Sequence, residues 1–382
     1  LRLAVVSDFG LTEYTGGYKR NEEVLSRLSR KVDLIVIPST RNMRLAQEGH
    51  GDKLKEVLRR VGGRVASHDS NVDADLFYVY SNSLEELSLA SRLANGRHVG
   101  VQLQLQPYYK RVEDLLKIAN RGPRGEERFR QALQYSERVK PQWERMIREG
   151  KLNYITSVSS VPLRLSGLDQ MGLRTVITKP ANAFDPEAAK WRGESKEDYA
   201  VYFTRLIPEK GLFDVPKIWR MVNSRRDVRL YVMGKFEDPR DMEDFEREVR
   251  DLNVEYLGFR RSDELFKVVS KARVVLYPSH FDSFSLVILE SLAAGTPVVA
   301  FDLLAIREVY GGVDNVRTVP EDDLRTMSEE TLRAMREDYV SSKNTEEFLK
   351  LHSSWDNVAD AELRAILDIW SQLSGGTHSL SP

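Results

Sequence analysis

Two carboxylates lie eight positions apart in the stretch Tyr277 to Phe301, YPSHFDSFSLVILESLAAGTPVVAF: Asp282 and Glu290. Between them the chain reads as a helix start. Ser283 or Ser285 is placed to cap it, Leu286 to Ala294 supply an apolar body, and Gly295 followed by Pro297 ends it. Eight residues of helix would separate the acids by roughly 12 Å along the axis, at about 1.5 Å per residue. That is the reach of an extended nucleotide-sugar, with one acid for each end.

A cationic pair stands upstream. In FTRLIPEKG, Arg205 follows an apolar strand, Lys210 comes five residues later, and Gly211 permits a tight turn. A guanidinium fork and an ammonium point charge at a strand's C-terminal end suit a diphosphate. Open parallel sheets bind ligands at that edge. Seen alone, the same two residues are an ordinary basic βα loop. Gly16 and Gly17 form a third candidate, in a loop between a strand ending at Ser7-Asp8 and a helix from Tyr18. Paired glycines let the backbone approach a ligand, and a helix N-terminus presents about half a positive charge. The stretch lacks the G-x-G-x-x-G dinucleotide fingerprint.

The elements that must position these residues alternate. LRLAVVSD, VDLIVIP, DLFYVYS and HVGVQLQL read as strands, with helices at Asn21 to Arg30, Lys53 to Val61 and Leu84 to Ala94. The second half repeats the plan: YAVYFTRL, VRLYVMG, VEYLGF, ARVVLYP and PVVAFD alternate with helices at Val215 to Asn223, Asp241 to Leu252 and Ser262 to Ser270. Such alternation predicts parallel strands with crossover helices, an α/β class. The junction falls in LRTVITKPANAFDPEAAKWRGESKEDYA, where a strand ends at Pro180. Domains are therefore expected at 1–182 and 183–352, with a C-terminal helix from Trp355 to Leu373 in 353–382 packing back on the first domain and a tail that frays through SGGTHSLSP. Residues 113–151 break the alternation as a helical insertion in the first domain, rich in Arg and carrying Phe129, Tyr135 and Trp143. It reads either as an amphipathic hairpin packed on the domain or as a basic surface for an anionic acceptor or lipid head groups.

Composition narrows the classes. The 382 residues suffice for two cores, and 30% charged residues nearly cancel to a net charge of -1, which argues against a nucleic-acid binder. With no cysteine there is no disulfide, thiolate metal site or Cys nucleophile. No apolar run approaches the roughly 20 residues of a membrane span, and LRLAVVSD is too short and acid-terminated for a signal peptide. A cytoplasmic protein is expected, at most peripheral at the inner face of a membrane through 113–151; absent Cys and abundant Glu, Lys and Arg also fit heat adaptation. DADL, from Asp73 to Leu76, imitates a D-x-D metal motif but reads as a strand boundary, and no metal site is expected. His280 reads as an exposed loop histidine.

FTRLIPEKG, VRLYVMG, VEYLGF and YPSHFDSFSLVILESLAAGTPVVAFD together resemble, in order and spacing, the C-terminal half of family 4 glycosyltransferases, the group 1 type. The N-terminal strand with its Gly pair, the VITKPANAFDP linker and the terminal SSW helix look like that family more loosely. The resemblance implies GT-B architecture, two Rossmann-like domains facing an inter-domain cleft. It implies a retaining hexosyl transfer from a nucleotide-diphosphate sugar to an acceptor hydroxyl on a sugar, lipid-linked or small-molecule acceptor, with no cofactor and no metal. By position, Arg205 and Lys210 would hold the diphosphate, Asp282 the donor sugar and Glu290 the ribose. Gly16 and Gly17 would lie under the phosphates. Gly234, with Ser283, Phe284, Ser285, Leu286 and Val287, would line the rest of the donor site. The family's first Glu is Asp282 here, and its two glycines around the Phe are Ser283 and Ser285. Where the family's first domain places a His, this chain has Gln104 or Gln106 in VGVQLQLQP, and neither can accept a proton. The alternatives are a nucleotide-sugar binder with little or no activity, or another GT-B activity such as an epimerase or a phosphorylase.

Overall fold

The computed structural model describes residues 1–13 and 15–373, so the expected fraying of SGGTHSLSP lies outside the described residues. The chain divides into two compact units. The first comprises Leu1–Val112, Leu133–Asn182 and the chain from Ser354; the second comprises Glu113–Ala132 and Ala183–Ser353.

Among the described residues, the first unit holds seven strands: β1 (Arg2–Ser7), β2 (Asp33–Pro38), β3 (Arg64–Val65), β4 (Leu76–Tyr80), β5 (Val99–Leu103), β6 (Tyr154–Ser157) and β7 (Arg174–Ile177). They run parallel in the order β3-β2-β1-β4-β5-β6-β7. RLAVVS, DLIVIP and LFYVY bury nearly every residue, as strands covered on both faces by crossover helices must. Ser7 pairs with Pro38 on one side and Tyr80 on the other, so the C-terminal ends of β1, β2 and β4 are level. The order of strands reverses between β1 and β4, the position where open sheets leave a ligand crevice.

The second unit repeats the scheme with β8 (Tyr199–Phe203), β9 (Arg229–Met233), β10 (Val254–Gly258), β11 (Val274–Tyr277), β12 (Val298–Phe301) and β13 (Val316–Val319), ordered β10-β9-β8-β11-β12-β13. Its switch point lies between β8 and β11, which delivers Arg205 and the acid-bearing loop to one edge. The core gathers Trp219, Phe245, Leu230 and Leu276, and the Trp219 indole nitrogen donates to the Val228 and Asn253 carbonyls, each at 3.2 Å.

The helical insertion corrects the expected domain map. Its two helices are Val112–Ala119 and Gly125–Arg148, and Glu113–Ala132 belongs to the second unit, not the first. Ion pairs explain this: Arg121 reaches Asp322 at 2.6 Å and Arg124 reaches Asp244 at 2.7 Å and also Asp241. The later turns belong to the first unit because Val139, Trp143 and Met146 are buried in its core.

The C-terminal helix, Trp355–Leu373, belongs to the first unit and packs beside the Gly16–Leu28 helix. Its buried residues Trp355, Val358, Glu362, Ala365, Ile366 and Ile369 form one stripe. Within that stripe Glu362 meets Arg20 at 2.7 Å, both side chains fully buried. Thr156 Oγ1 donates to Glu362 at 2.9 Å, the Tyr78 hydroxyl donates to it as well, and Arg20 Nε donates to the Ala181 carbonyl at 2.8 Å. Asp73 and Asp75 of the DADL stretch both pair with Arg2 just before β4 begins.

Candidate active site

The loop after β11 carries the first acid. Gly211, at φ +81°, turns the chain so tightly against it that a Cβ there would lie 2.1 Å from the Pro278 carbonyl oxygen. Lys210 is thereby brought under the loop. Its ammonium donates to the Phe281 carbonyl at 2.6 Å and to the Asp282 carboxylate at 2.9 Å. Asp282 also accepts from the Tyr277 hydroxyl at 3.0 Å. The two charged side chains are 10% and 7% exposed, so the pair is screened little by water. Burial, and then the Asp282 charge, push the Tyr277 hydroxyl well above its usual range, so it stays a donor.

Ser285 caps the helix Leu286–Ala293, its Oγ accepting from the Ile288 amide at 3.4 Å. It does so at φ +69°, the left-handed region that favours glycine. Tyr310 holds it there by donating to the Ser285 carbonyl at 2.7 Å, and Phe284 packs against the Tyr310 and His352 rings. Ser283 is buried, and its hydroxyl has no hydrogen-bond partner among the described residues. Leu286, Val287 and Glu290 follow in the helix, each half-buried. Asp282 itself precedes the helix by four residues, so the expected purely helical spacing of the acids does not hold. The chain needs those residues to turn from β11 into the cap.

Arg205, half exposed, is paired with Glu237 at 2.9 Å. Gly234 ends β9 at φ +147°, where a Cβ would fall 2.0 Å from the Thr204 carbonyl oxygen. Its amide donates to the Gly258 carbonyl at 3.1 Å, which draws together the ends of β8, β9 and β10.

In the first unit the glycines do not precede the helix, as expected, but open it: the helix is Gly16–Leu28, capped by Thr15. Gln104 donates to Asn21 at 3.0 Å and to the Gly17 carbonyl at 3.4 Å, and a Cβ on Gly17 would lie 3.0 Å from its Oε1. Gln104, rather than Gln106, adjoins the Gly pair; the Gln106 amide oxygen is buried without a hydrogen bond among the described residues. A cavity of about 380 Å³ opens at the ends of β1, β2 and β4, lined in part by Asp8, Arg41, Ser81, Ser83 and Glu86. Asp8 accepts from Ser39 at 2.8 Å, and Glu86 accepts from the Thr40 amide at 3.0 Å. Burial raises both carboxyl groups above their ordinary range. Only Asp8, at the end of the first strand, left a trace of this cavity in the sequence.

His280 is not an exposed loop residue. Its side chain is fully buried, with Nε2 2.6 Å from Asp214 and Nδ1 3.0 Å from Glu321. Asp214, His280 and Asp322 offer atoms within 4.8 Å of one another, a spacing that a cation could bridge. Protein cations already supply the charge: Lys117 and Arg121 face Glu321, Arg121 faces Asp322, and Lys217 faces Asp214 at 3.4 Å.

With this geometry in hand, residues 197–337 match the family of glycosyl transferases group 1. This segment is a group 1 glycosyltransferase domain. An uncharacterized glycosyltransferase of Methanocaldococcus jannaschii is 30% identical over 173 residues, 44% of each chain. The chain spans less than half the length of the curated relatives it matches. Solved structures cover nearly all of it. Sucrose-phosphate synthase of Thermosynechococcus elongatus gives a TM-score of 0.67 at 13% identity, covering 97% of this chain and 100% of that one. Anabaena HepE, solved with UDP and glucose, gives 0.60 at 14% identity, covering 98% and 99%. The fold is therefore GT-B, with two Rossmann-like units in one chain. Among the described residues no helix is long and apolar enough to cross a membrane.

Proposed function

We propose that the protein is a family 4 glycosyltransferase that moves a hexosyl group, with retention, from a nucleotide-diphosphate sugar to an acceptor hydroxyl. The observation that carries this is the Lys210–Asp282 pair, 2.9 Å apart and nearly dry, at the switch-point edge of a group 1 domain. Lys210 and Arg205 would bind the diphosphate and stabilise it as the leaving group; Asp282 would hold the donor sugar and Glu290 the ribose. The unpartnered Ser283 hydroxyl supports a ligand contact at that point, beside Phe284, Ser285, Leu286 and Val287. Gly234 would let the nucleotide approach the sheet edge. Retaining transfer asks for leaving-group stabilisation and acceptor placement more than for a strong base. A Gln in place of a His is compatible with that demand, and no metal is required by it.

HepE was solved with UDP and glucose, which makes UDP-glucose the first donor to try. The acceptor side would fall to the first unit, with Gly16, Gly17 and Gln104 and the cavity over Asp8 as its candidate surfaces, and with Gln106 as a further candidate. A peripheral membrane contact through 113–151 would fall to its exposed Leu116 and Tyr135, since Trp143 is buried and Arg121 and Arg124 each face carboxylates. The second reading, a nucleotide-sugar binder without turnover, draws on Ser283 and Ser285 where the family has glycine and on Gln104 where it has histidine.

Release of UDP from UDP-glucose in the presence of a panel of sugar, lipid-linked and small-molecule hydroxyl acceptors, measured for wild type and Glu290→Gln, separates the two readings. Transfer predicts turnover that falls by tens- to hundreds-fold in the variant, the equivalent of a charge-assisted contact of about 1.5–3 kcal/mol. Binding by wild type without turnover on any of UDP-, GDP- and ADP-sugars would instead favour the binder.

A further inference from the structure

His280 lies two residues before Asp282, and the loop between them is pinned from both sides. The His280 amide donates to the Glu209 carbonyl at 2.8 Å, beside Lys210, and Lys210 takes the Phe281 carbonyl and the Asp282 carboxylate. The imidazole extends this pinning to distant segments. Nε2 faces Asp214, which precedes the Val215–Asn223 helix, and Nδ1 faces Glu321, beyond β13. Both ring nitrogens meet carboxylate oxygens at 3.0 Å or less, a geometry that an imidazolium satisfies with both of its N–H groups donating. A neutral ring would turn a lone pair toward an oxygen. The Phe301 ring lies 5.1 Å from the imidazole, whose side chain is fully buried.

We propose that His280 is a positioning residue for the donor site, an imidazolium that clamps the Asp282 loop to Asp214 and Glu321 so that Lys210 and Asp282 are held in register. The proposal rests on the donor reading above. Every charged group around the ring has a place in it. Asp214 is balanced by Lys217; Glu321 is balanced by Lys117 and Arg121; Asp322, 3.9 Å from Nδ1, is balanced by Arg121. Burial lowers the basicity of His280, but the hydrogen bonds to Asp214 and Glu321 outweigh it and leave the ring above 6.5, even against the repulsion of Arg121. A base whose folded value is raised keeps its contribution below its unfolded value and loses it as pH rises through the folded one. The clamp is thus closed below 6.5 and opens on the alkaline side.

The test is calorimetric titration of UDP, GDP and ADP into the full chain, from about pH 6, where the clamp is closed, to about pH 10. For whichever diphosphate binds wild type, affinity should fall by up to about tenfold per pH unit once the ring deprotonates. His280→Gln should bind about tenfold more weakly at about pH 6 and show little pH dependence, and Glu321→Gln should move the break to lower pH. Wild-type affinity in His280→Gln, or an unchanged pH profile, overturns the clamp while leaving the donor site standing. Failure of all three diphosphates to bind wild type overturns the donor reading and the clamp together. If His280→Gln does not fold, nitrogen NMR of the wild-type ring decides: two protonated nitrogens at about pH 6 support the clamp, and a singly protonated ring there refutes it.

Discussion

Lys210 and Asp282 neutralise one another at 2.9 Å with little water beside either, so each depends on the other before any substrate arrives. Lys210→Met leaves a buried carboxylate without its cation, and chemical denaturation should show a loss of about 3–5 kcal/mol. Adding Asp282→Asn should restore part of it, and a double-mutant cycle with no coupling would contradict the pairing. Ser285 bears a different load. At φ +69° it pays backbone strain where glycine would not, yet it caps a helix. Ser285→Gly should stabilise by about 0.5–1 kcal/mol, while Ser285→Ala keeps the strain, loses the cap and should destabilise by about 1 kcal/mol, both read from urea midpoints. The residue types were legible in the sequence, and so was the cap, which the motif had left open between Ser283 and Ser285. The partnership was not. Lys210 and Asp282 are 72 positions apart, and His280 finds its carboxylates 66 and 41 positions away. A loop histidine between Ser279 and Phe281 gives no local sign of the carboxylates it meets.

At the scale of elements, most buried strands announced themselves because strands covered on both faces are continuous apolar runs, but β6, fully buried as YITS, is too short and too polar to show as one. The edges did not. β3 is two exposed residues, and β13 reads VRTV with one buried position, so neither shows a clear run. The insertion was legible as helices but not as a segment divided between units, because its Arg partners lie more than a hundred positions away. The C-terminal helix is fastened by a buried ion pair, where removing one partner strands the other. Glu362→Gln should cost about 3–5 kcal/mol, and Arg20→Met a similar amount, measured by thermal unfolding. The clamp around His280 sets a pH window of its own. Burial opposes their charge, but the hydrogen bonds from His280 win and hold Asp214 and Glu321 below 3.8 and 4.5. Carboxylates with depressed folded values stabilise above their unfolded values and lose that contribution as pH falls through the folded ones. Hydrogen-exchange protection factors in the Val215–Asn223 helix should therefore be highest between about pH 4.5 and 6.5, falling on both sides. Equal protection at pH 9 would contradict the clamp.

At the scale of the molecule, each unit places its candidate residues where strand order reverses: Gly16, Gly17 and Asp8 after β1, Arg205 and Lys210 after β8, and Asp282 after β11. Two parallel sheets of the same plan explain why structures at 13% and 14% identity still match nearly the whole chain. The donor account concentrates binding in the second unit, and thermal unfolding with UDP, GDP and ADP tests that most directly. One nucleotide at a hundredfold excess over its dissociation constant should stabilise wild type by about 2.7 kcal/mol, a rise of about 5 °C or more, and Arg205→Ala should lose most of it. A melting temperature unmoved by all three nucleotides, or raised equally in Arg205→Ala, would contradict the account.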